Sequence, residues 1–317
     1  MTDTQNEVFK SPVNKIRLFE HGAPGSQNLK LTRKYYTEDM PDGRVKHIVQ
    51  NITDPDIVPY IPDGIGNSTD RQRIPAVLII PGGAFRRLVY NFEGEDVAKW
   101  LNSMGIAAFV LECRLPSDEH DNAEDVPLID AMRAMRVIRG RAQEFSIDEA
   151  KIGVMGFSAG GFMAALLSTA YESDVYVDYK YKDEYDKLSA RPDFAVCSYP
   201  VISIDDCIEA GKRYMSEEQV LERISDSKAK ILHKYNPDKL VRPDMPPVFI
   251  CETDDDRTTL SENSVGFYMA ARKAGVSAEL HIFRTGGHGY GCGDDFAQTG
   301  EWKVLFTKWI KSIGIIS

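Results

Sequence analysis

From residue 75 onward, short and continuously apolar runs alternate with longer segments in which apolar residues recur at helical spacing. Continuous apolar runs of this kind are typical of parallel strands buried on both faces, and the longer segments are typical of amphipathic helices. The runs that predict strands are PAVLII, IAAFVLEC, KIGVMGF, FAVCSYP, PPVFICE and AELHIF. The alternation predicts an α/β protein with a mostly parallel central sheet and helices on both faces.

The segments between these runs predict helices with recognisable limits. GEDVAKWLNSMG ends in a glycine, and EDVPLIDAMRAMRVIRGRAQEF places Leu128, Met132, Met135 and Ile138 on one side. An apolar stripe at this spacing packs a helix against a sheet. Further helices are predicted for residues 159–171 and for SENSVGFYMAARKAG and EWKVLFTKWIKSI.

Two parts of the chain depart from the alternation. The first 45 residues are polar and broken by Pro and Gly, and KHIVQNI and DIVPYIP then predict an antiparallel lead-in of short strands. Residues 204–241 are charged, and we predict a mostly helical cap insertion there, over one end of the sheet. Because the chain shows neither an internal repeat nor a low-complexity tract, we expect a single domain over residues 1–317, with the cap inside it.

The segment VMGFSAGG places Ser158 between two glycines, directly after an apolar strand and before a helix. This strand-turn-helix context makes a Gly-x-Ser-x-Gly pattern informative, since a sharp turn exposes the serine. Side chains at Gly156 and Gly160 would collide with neighbouring backbone in such a turn. The alternative is a glycine-rich turn with an incidental serine. We therefore predict Ser158 as a nucleophile, with the N-terminus of the following helix facing any oxyanion that forms.

A serine nucleophile requires a base, usually a histidine oriented by a carboxylate. His288 is the best candidate of the six histidines, because FRTGGHGYG forms a flexible loop just beyond the strand AELHIF. His281 lies within that strand and is predicted to be a core residue. The other four are assigned to the surface, namely His21, His47, His120 and His233.

The carboxylate is predicted at the end of the strand PPVFICE, where Asp254, Asp255 and Asp256 follow one another. Side chains at the carboxyl ends of parallel strands converge on one edge of a sheet. Consecutive residues point in different directions, so at most one acid faces the histidine. The alternative is a divalent metal cluster, but no further ligand stands at suitable spacing, and we expect neither a metal nor a cofactor. The order serine, acid, histidine is that of α/β-hydrolases.

An oxyanion hole is predicted from the segment IIPGGAFRR, in which an apolar strand ends in small residues. Such residues leave backbone N–H groups accessible to a ligand. The N–H of Ala159, directly after the nucleophile, is the second expected donor.

Composition and charge restrict the partners. The 317 residues are 43% hydrophobic with a formal net charge of -10, and no long Lys/Arg cluster appears, so a folded protein without a nucleic-acid partner is expected. The five cysteines are odd in number and lack a CxxC pair, which indicates a reducing compartment. MTDTQNEVFKSPVNK lacks the apolar core of a secretory signal, and no run suits a membrane span. We expect a cytoplasmic location and no membrane partner.

Together, these motifs resemble those of the α/β-hydrolase carbohydrate esterases of the acetylxylan esterase, or BD-FAE-like, group. The similar segments are HGAPGS, PGGAF, EGEDVAKWLNSMGIAAFVLECRLP, DAMRAMRVIRGRAQEFSIDEAKIGVMGFSAGG, SYPVIS, PPVFICETDDDRT and GGHGYG. The resemblance implies an α/β-hydrolase fold, with Ser158 as nucleophile, Asp255 as acid and His288 as base. It also implies an oxyanion hole built from Gly83, Ala84 and Ala159.

Two positions depart from the pattern of that family. Ala84 stands where a third glycine is usual in the oxyanion loop, and Glu252 stands where a histidine is frequent before the acid loop. Alanine keeps the N–H group but restricts φ. The oxyanion loop can therefore function only if its backbone is already in a region that alanine allows.

The resemblance implies a serine esterase that removes short acyl groups, above all acetyl groups from xylo-oligosaccharides or related sugars. The expected partner is a small ester. A general short-chain carboxylesterase would differ only in its pocket, and a peptidase of the prolyl-oligopeptidase type would need an extra domain. A binding module that has lost its base is a third alternative, against which all three triad candidates argue. The acetyl position and the oligomeric state, a homo-oligomer included, stay open.

Overall fold

Two β-sheets organise the part of the chain that the computed structural model describes, which comprises residues 9–64, 73–176, 178–225, 229–293 and 298–317. The larger sheet contains β1 (Ile16–Arg17), β4 (Asp56–Tyr60), β5 (Ile74–Ile80), β7 (Ala107–Glu112), β8 (Ile147–Phe157), β9 (Ala195–Ser198), β10 (Val248–Thr253) and β11 (Ala278–Phe283). The smaller sheet contains β2 (Lys34–Asp39), β3 (Val45–Gln50) and β6 (Leu88–Val89).

The larger sheet is parallel except at one edge. Its strands lie in the order β1-β4-β7-β5-β8-β9-β10-β11, with antiparallel pairing only between β1 and β4 and between β4 and β7. The smaller sheet is antiparallel throughout. Because β5, β8, β10 and β11 run in the same direction, the loops that follow them meet at one edge of the sheet.

Helices cover both faces of the larger sheet. The helices are α1 (Asp96–Ser103), α2 (Val126–Gly140), α3 (Ala159–Ala170), α4 (Ile204–Tyr214), α5 (Glu217–Ser225), α6 (Lys230–Lys234), α7 (Ser261–Lys273) and α8 (Trp302–Ser312). Helices α1 and α8 share one face, where the rings of Trp100 and Trp302 lie 4.9 Å apart. Helices α2 and α3 pack together on the other. The predicted layered arrangement is confirmed.

The sheet interior explains why the strand pattern was so clear in the sequence. Every residue of β7 and β10 is buried, and so is the half of β8 that leads to Ser158. The aromatic side chains of α8 fill the space beneath β8 to β10, with Phe249 and Trp309 5.5 Å apart. Burial on both faces removes the polar alternation that a half-exposed strand would show.

The N-terminal lead-in and the 204–241 insertion agree with their predicted character. β3 and β4 correspond to KHIVQNI and DIVPYIP, whereas β2 was missed because its segment carries polar residues around Tyr35 and Tyr36. The insertion contains α4, α5 and α6. Residues 1–8 of the N-terminal stretch and 226–228 of the insertion lie outside the described residues. None of the described helices combines the length and apolar character needed to cross a lipid bilayer.

A fully buried ion pair attaches the HGAPGS loop to the sheet. Arg114 Nη2 lies 2.6 Å from Asp130 Oδ1, and Arg114 Nη1 donates to Ser26 Oγ at 2.9 Å. His120 Nδ1 lies 3.1 Å from the same hydroxyl, and burial lowers the pKa of His120 to about 4. The surface position predicted for His120 is therefore wrong, because its loop folds inward over this pair.

The prediction that His281 is a core residue is also wrong. His281 is half-buried, and its Nε2 lies 2.8 Å from Glu279 Oε1. Its strand, β11, is the last strand of the larger sheet, so one side of the strand has no further neighbour in that sheet. An apolar run alone does not distinguish an edge strand from a central one.

Candidate active site

Ser158 lies at the tight turn between β8 and α3, in the middle of the larger sheet. Its backbone has φ 54° and ψ -117°, a combination that non-glycine residues rarely adopt. Backbone strain of this kind is concentrated at functional sites, where the surrounding structure maintains it. The turn places the Ser158 hydroxyl at the edge of the sheet where the other chemistry-bearing loops end.

The glycines around Ser158 are required by close packing, as the sequence pattern predicted. A Cβ atom on Gly156 would lie 1.9 Å from the carbonyl oxygen of Gly160. A Cβ atom on Gly160 would lie 1.9 Å from the carbonyl oxygen of Ile80, at the end of β5. Neither separation is possible for real atoms, so the turn and the start of α3 exclude any larger residue at both positions.

His288 lies beside the serine, in the loop that follows β11. The Ser158 hydroxyl oxygen is 2.8 Å from His288 Nε2, although 130 residues separate them in the chain. Gly286, at φ 155°, and Gly287, at φ 63°, bend the preceding backbone through regions that favour glycine. This geometry allows the imidazole to accept the hydroxyl proton.

The carboxylate at the histidine is Asp256, and the expectation of Asp255 is corrected. Asp256 Oδ2 lies 2.6 Å from His288 Nδ1, and the Asp256 side chain is fully buried. Asp255 is exposed, and its Oδ1 accepts the N–H of Gly287 at 2.8 Å. Asp254 is exposed as well, with its Oδ1 3.4 Å from the hydroxyl oxygen of Ser261. The turn after β10 therefore directs only the third acid inward.

Several donors hold Asp256 in its ionised form. Its Oδ1 accepts the N–H groups of Thr258 and Thr259 at 2.7 and 3.0 Å, and the Thr259 hydroxyl donates to Oδ2 at 3.0 Å. Burial by itself raises the pKa of Asp256, but the hydrogen bond and charge of His288, together with these backbone donors, lower it below its ordinary value. An ionised Asp256 fixes the imidazole orientation and favours its protonation at Nε2.

The predicted oxyanion residues line the same part of the molecule. Gly83 and Ala84 contribute to the wall of a cavity that also contains Ser158 and His288. Ala84 has φ 57°, so the alanine is accommodated in the left-handed region that is sparsely allowed for residues with a Cβ. Ala159 begins α3, where the first backbone N–H groups have no partner within the helix. Three N–H groups are thus available near the serine.

Two cavities share Ser158, Ala84 and Thr258 in their walls. The smaller, of about 80 Å³, is lined mainly by apolar side chains, including Phe85, Val201, Ile204, Cys207 and Leu232. The larger, of about 240 Å³, is more polar, with walls that include Met40, Arg44, Lys46, Arg87 and Phe92. An ester whose carbonyl carbon contacts Ser158 can therefore place its two substituents in chemically different surroundings.

Two further residues at this site were missed from the sequence. Glu93 Oε2 accepts the N–H of Gly82 at 2.8 Å, and Tyr199 donates its hydroxyl to Glu93 Oε1 at 2.9 Å. Tyr199 also contacts His288, with ring centroids 5.1 Å apart in an edge-to-face arrangement. The only available signal was a carboxylate in the segment NFEGEDVAKW, directly before a helix, and this position is more often a helix start.

Comparison with solved structures gives the class of protein that this fold and site define. An acetyl ester-xyloside bifunctional hydrolase from Caldicellulosiruptor lactoaceticus matches with a TM-score of 0.70 and 34% identity, covering 96% of this chain and 97% of that one. A thermophilic esterase from Thermogutta terrifontis, with propionate bound, shares the fold at a TM-score of 0.66 and 24% identity, covering 93% and 96%. The chain therefore falls in the class of carboxylic ester hydrolases with the α/β-hydrolase fold.

Within that class, the chain belongs to the BD-FAE family, whose sequence pattern matches residues 65–270. It is also 31% identical over 240 residues to an acetylxylan esterase of Xylanibacter ruminicola. That match covers 75% of this chain and 45% of the relative, so the chain spans about half the length of this curated relative. The resemblance to carbohydrate esterases noted in the sequence is confirmed.

Proposed function

We propose that this protein is a serine esterase that hydrolyses short acyl esters, with Ser158 as nucleophile, His288 as base and Asp256 as the orienting acid. The observation that carries the proposal is the continuous series of contacts of 2.8 Å from Ser158 to His288 and 2.6 Å from His288 to Asp256. A nucleophile, a base and a buried carboxylate within hydrogen-bond distance of one another suit acyl transfer.

In the proposed reaction, Ser158 Oγ attacks the ester carbonyl carbon while its proton passes to His288 Nε2. The carbonyl oxygen becomes an oxyanion, which the N–H groups of Ala159 and of Gly83 or Ala84 stabilise. The alcohol then leaves with the proton from His288, and an acyl-Ser158 ester remains. Water repeats the sequence in reverse, transferring its proton to His288 and releasing the carboxylic acid.

The smaller cavity supports a short acyl group. A dry cavity of about 150 Å³ holds a benzene ring, whereas this one measures about 80 Å³. Its walls include Ile204 and Cys207 of α4 and Leu232 of α6. We therefore propose that residues 204–241 form a cap insertion that limits acyl length, within a single domain over residues 1–317.

The larger cavity supports a polar alcohol, and acetylated xylo-oligosaccharides or related sugars are our proposed substrates. Its wall combines the aromatic ring of Phe92 with the cationic groups of Arg44, Lys46 and Arg87. Aromatic rings beside polar groups suit a sugar ring with several hydroxyls. The activities named for the Xylanibacter and Caldicellulosiruptor relatives support this choice.

The proposal is tested by measuring acetate release from acetylated xylo-oligosaccharides, with p-nitrophenyl acetate as a general ester. Hydrolysis of both is expected, with the higher kcat/KM on the sugar ester. Cleavage of p-nitrophenyl acetate alone would reject the sugar substrate and favour a general short-chain carboxylesterase. A folded protein that cleaves neither ester and is not labelled by a fluorophosphonate would instead support a binding module.

Leu232→Ala is expected to shift acyl preference toward longer chains, because it removes part of the smaller cavity's wall. The kcat/KM ratio of p-nitrophenyl hexanoate to acetate should rise about 10-fold, since a few methylene contacts are worth about 1–3 kcal/mol each. The matched control is Leu221→Ala, because Leu221 is 56% exposed whereas Leu232 is 7% exposed. An unchanged ratio in a folded Leu232→Ala protein would place the acyl group elsewhere.

A further inference from the structure

A buried carboxylate connects the two loops that flank the candidate nucleophile. Glu93 Oε2 accepts the N–H of Gly82, and its Oε1 accepts the hydroxyl of Tyr199. The Tyr199 hydroxyl oxygen in turn accepts the N–H of Gly291 at 3.0 Å. Gly82 immediately precedes the oxyanion loop, and Gly291 follows His288 by three residues. One side chain and one hydroxyl thus determine the separation of the oxyanion loop from the base loop.

The surroundings hold both members of this connection in place. Glu93 is 5% exposed and lies in a π-helical turn, Asn91–Glu95, at the start of α1. Tyr199 is fully buried, and its N–H donates to the carbonyl oxygen of Cys251 at 2.7 Å. Its backbone has φ 36°, outside the usual regions for a bulky residue. A strained aromatic residue that contacts the base indicates a functional constraint.

The hydrogen-bond pattern suits an ionised Glu93, since both carboxylate oxygens act as acceptors. Burial raises the pKa of Glu93, and the charge of His288, the Tyr199 and Gly82 donors and Lys46 oppose that effect in decreasing order. The guanidinium groups of Arg44 and Arg87 line the same cavity. Asp256 is the other carboxylate beside His288, on the opposite side of the ring connection, at Nδ1.

We propose that Glu93 is a positioning residue of the esterase site, with two linked effects. Through Gly82 it holds the oxyanion loop against Ser158, and through its negative charge it stabilises the imidazolium that forms on His288. The inference rests on the proposed function, because that imidazolium arises only when Ser158 is the nucleophile and His288 the base. The proton moves between Ser158, His288 and the leaving alcohol, and Glu93 neither gives nor takes it.

Glu93→Gln tests the charge, since glutamine keeps the shape and one acceptor oxygen. The acidic limb of the kcat/KM profile is expected to move about 0.5–1 pH unit lower, because protonation of a base is disfavoured when a nearby anion is lost. The matched control is Glu95→Gln, two residues along the same turn, where Glu95 pairs with Lys99 at 2.7 Å near the surface. Its acidic limb should coincide with that of the wild type.

Glu93→Ala and Tyr199→Phe test the positional effect. Each removes one link between the loops, and Tyr199→Phe keeps the ring against His288. The expected result is a kcat about 10- to 100-fold lower with KM nearly unchanged, which is the pattern for interactions made in the transition state. If both folded variants keep the wild-type kcat, the positional effect is rejected.

The pH profile is also read from the rate at which a fluorophosphonate labels Ser158, which requires no knowledge of the natural ester. A folded wild-type protein that is not labelled would reject the proposed function itself. A labelled wild type with coincident acidic limbs for Glu93→Gln and Glu95→Gln would reject only the charge effect of Glu93. Circular dichroism and urea unfolding confirm that each variant is compared in its folded state.

Discussion

Asp256→Asn is expected to lower kcat about 10⁴-fold, whereas Asp255→Asn should leave it within about 3-fold of wild type. Asp256 contacts His288 Nδ1 at 2.6 Å in a fully buried position. An amide there carries no charge and presents either a weaker acceptor or an N–H donor to the imidazole, so the tautomer that can accept the Ser158 proton is disfavoured. Asp255 only accepts the N–H of Gly287, and the asparagine oxygen retains that contact.

The measurement is steady-state kcat and KM on p-nitrophenyl acetate for both variants and the wild type. KM should change little in Asp256→Asn, because the substituted group lies behind the imidazole and does not line either cavity. The two substitutions are chemically identical and one residue apart. If Asp255→Asn caused the larger loss, the orienting acid would be Asp255 and the turn after β10 would have to rearrange in solution.

Gly82→Ala is expected to lower kcat about 10²- to 10³-fold, comparable to the loss of one oxyanion donor. A Cβ atom there would lie 2.4 Å from the carbonyl oxygen of Phe157 and 2.9 Å from Ser158 Cβ. It would also lie 2.8 Å from Glu93 Oε2. The backbone must therefore move away from the serine, and the N–H groups of the oxyanion loop move with it.

The control for this substitution is Gly266→Ala in α7, where a Cβ atom meets nothing within 4 Å. That variant should keep full activity and gain up to about 1 kcal/mol in the free energy of unfolding, because alanine favours a helix over glycine. Activity and urea unfolding are measured for both variants. A fully active Gly82→Ala protein would show that the oxyanion loop tolerates the displacement or takes no part in the reaction.

Local sequence patterns were sufficient for the sheet and for two of the three proposed catalytic residues. The strands were visible because they are buried on both faces, and such strands are continuously apolar. Ser158 and His288 were visible because each lies in a glycine-rich turn whose geometry restricts the neighbouring residues. In both cases the constraint acts over a few consecutive residues, so it leaves a trace in the sequence.

The remaining features depend on residues that are distant in the chain or on the detailed path of a turn. Three consecutive acids have the same chemistry, and only the turn after β10 decides that Asp256 is buried while Asp255 is exposed. Glu93 and Tyr199 are separated by 106 residues, and neither belongs to a recognisable motif. His120 was assigned to the surface because nothing nearby indicated that its loop folds over Arg114.

The amino-acid sequence by itself thus determined the layered α/β architecture, the family and the identity of the serine and the histidine. These follow from hydrophobic periodicity and from short motifs with strict steric requirements. Only the tertiary structure decided which acid meets His288, how Ala84 is accommodated at φ 57°, and that Glu93 connects the oxyanion loop to the base loop. The physical reason is that burial and hydrogen bonding at this site are set by contacts between the ends of β5, β8, β10 and β11, which come together only in the folded chain.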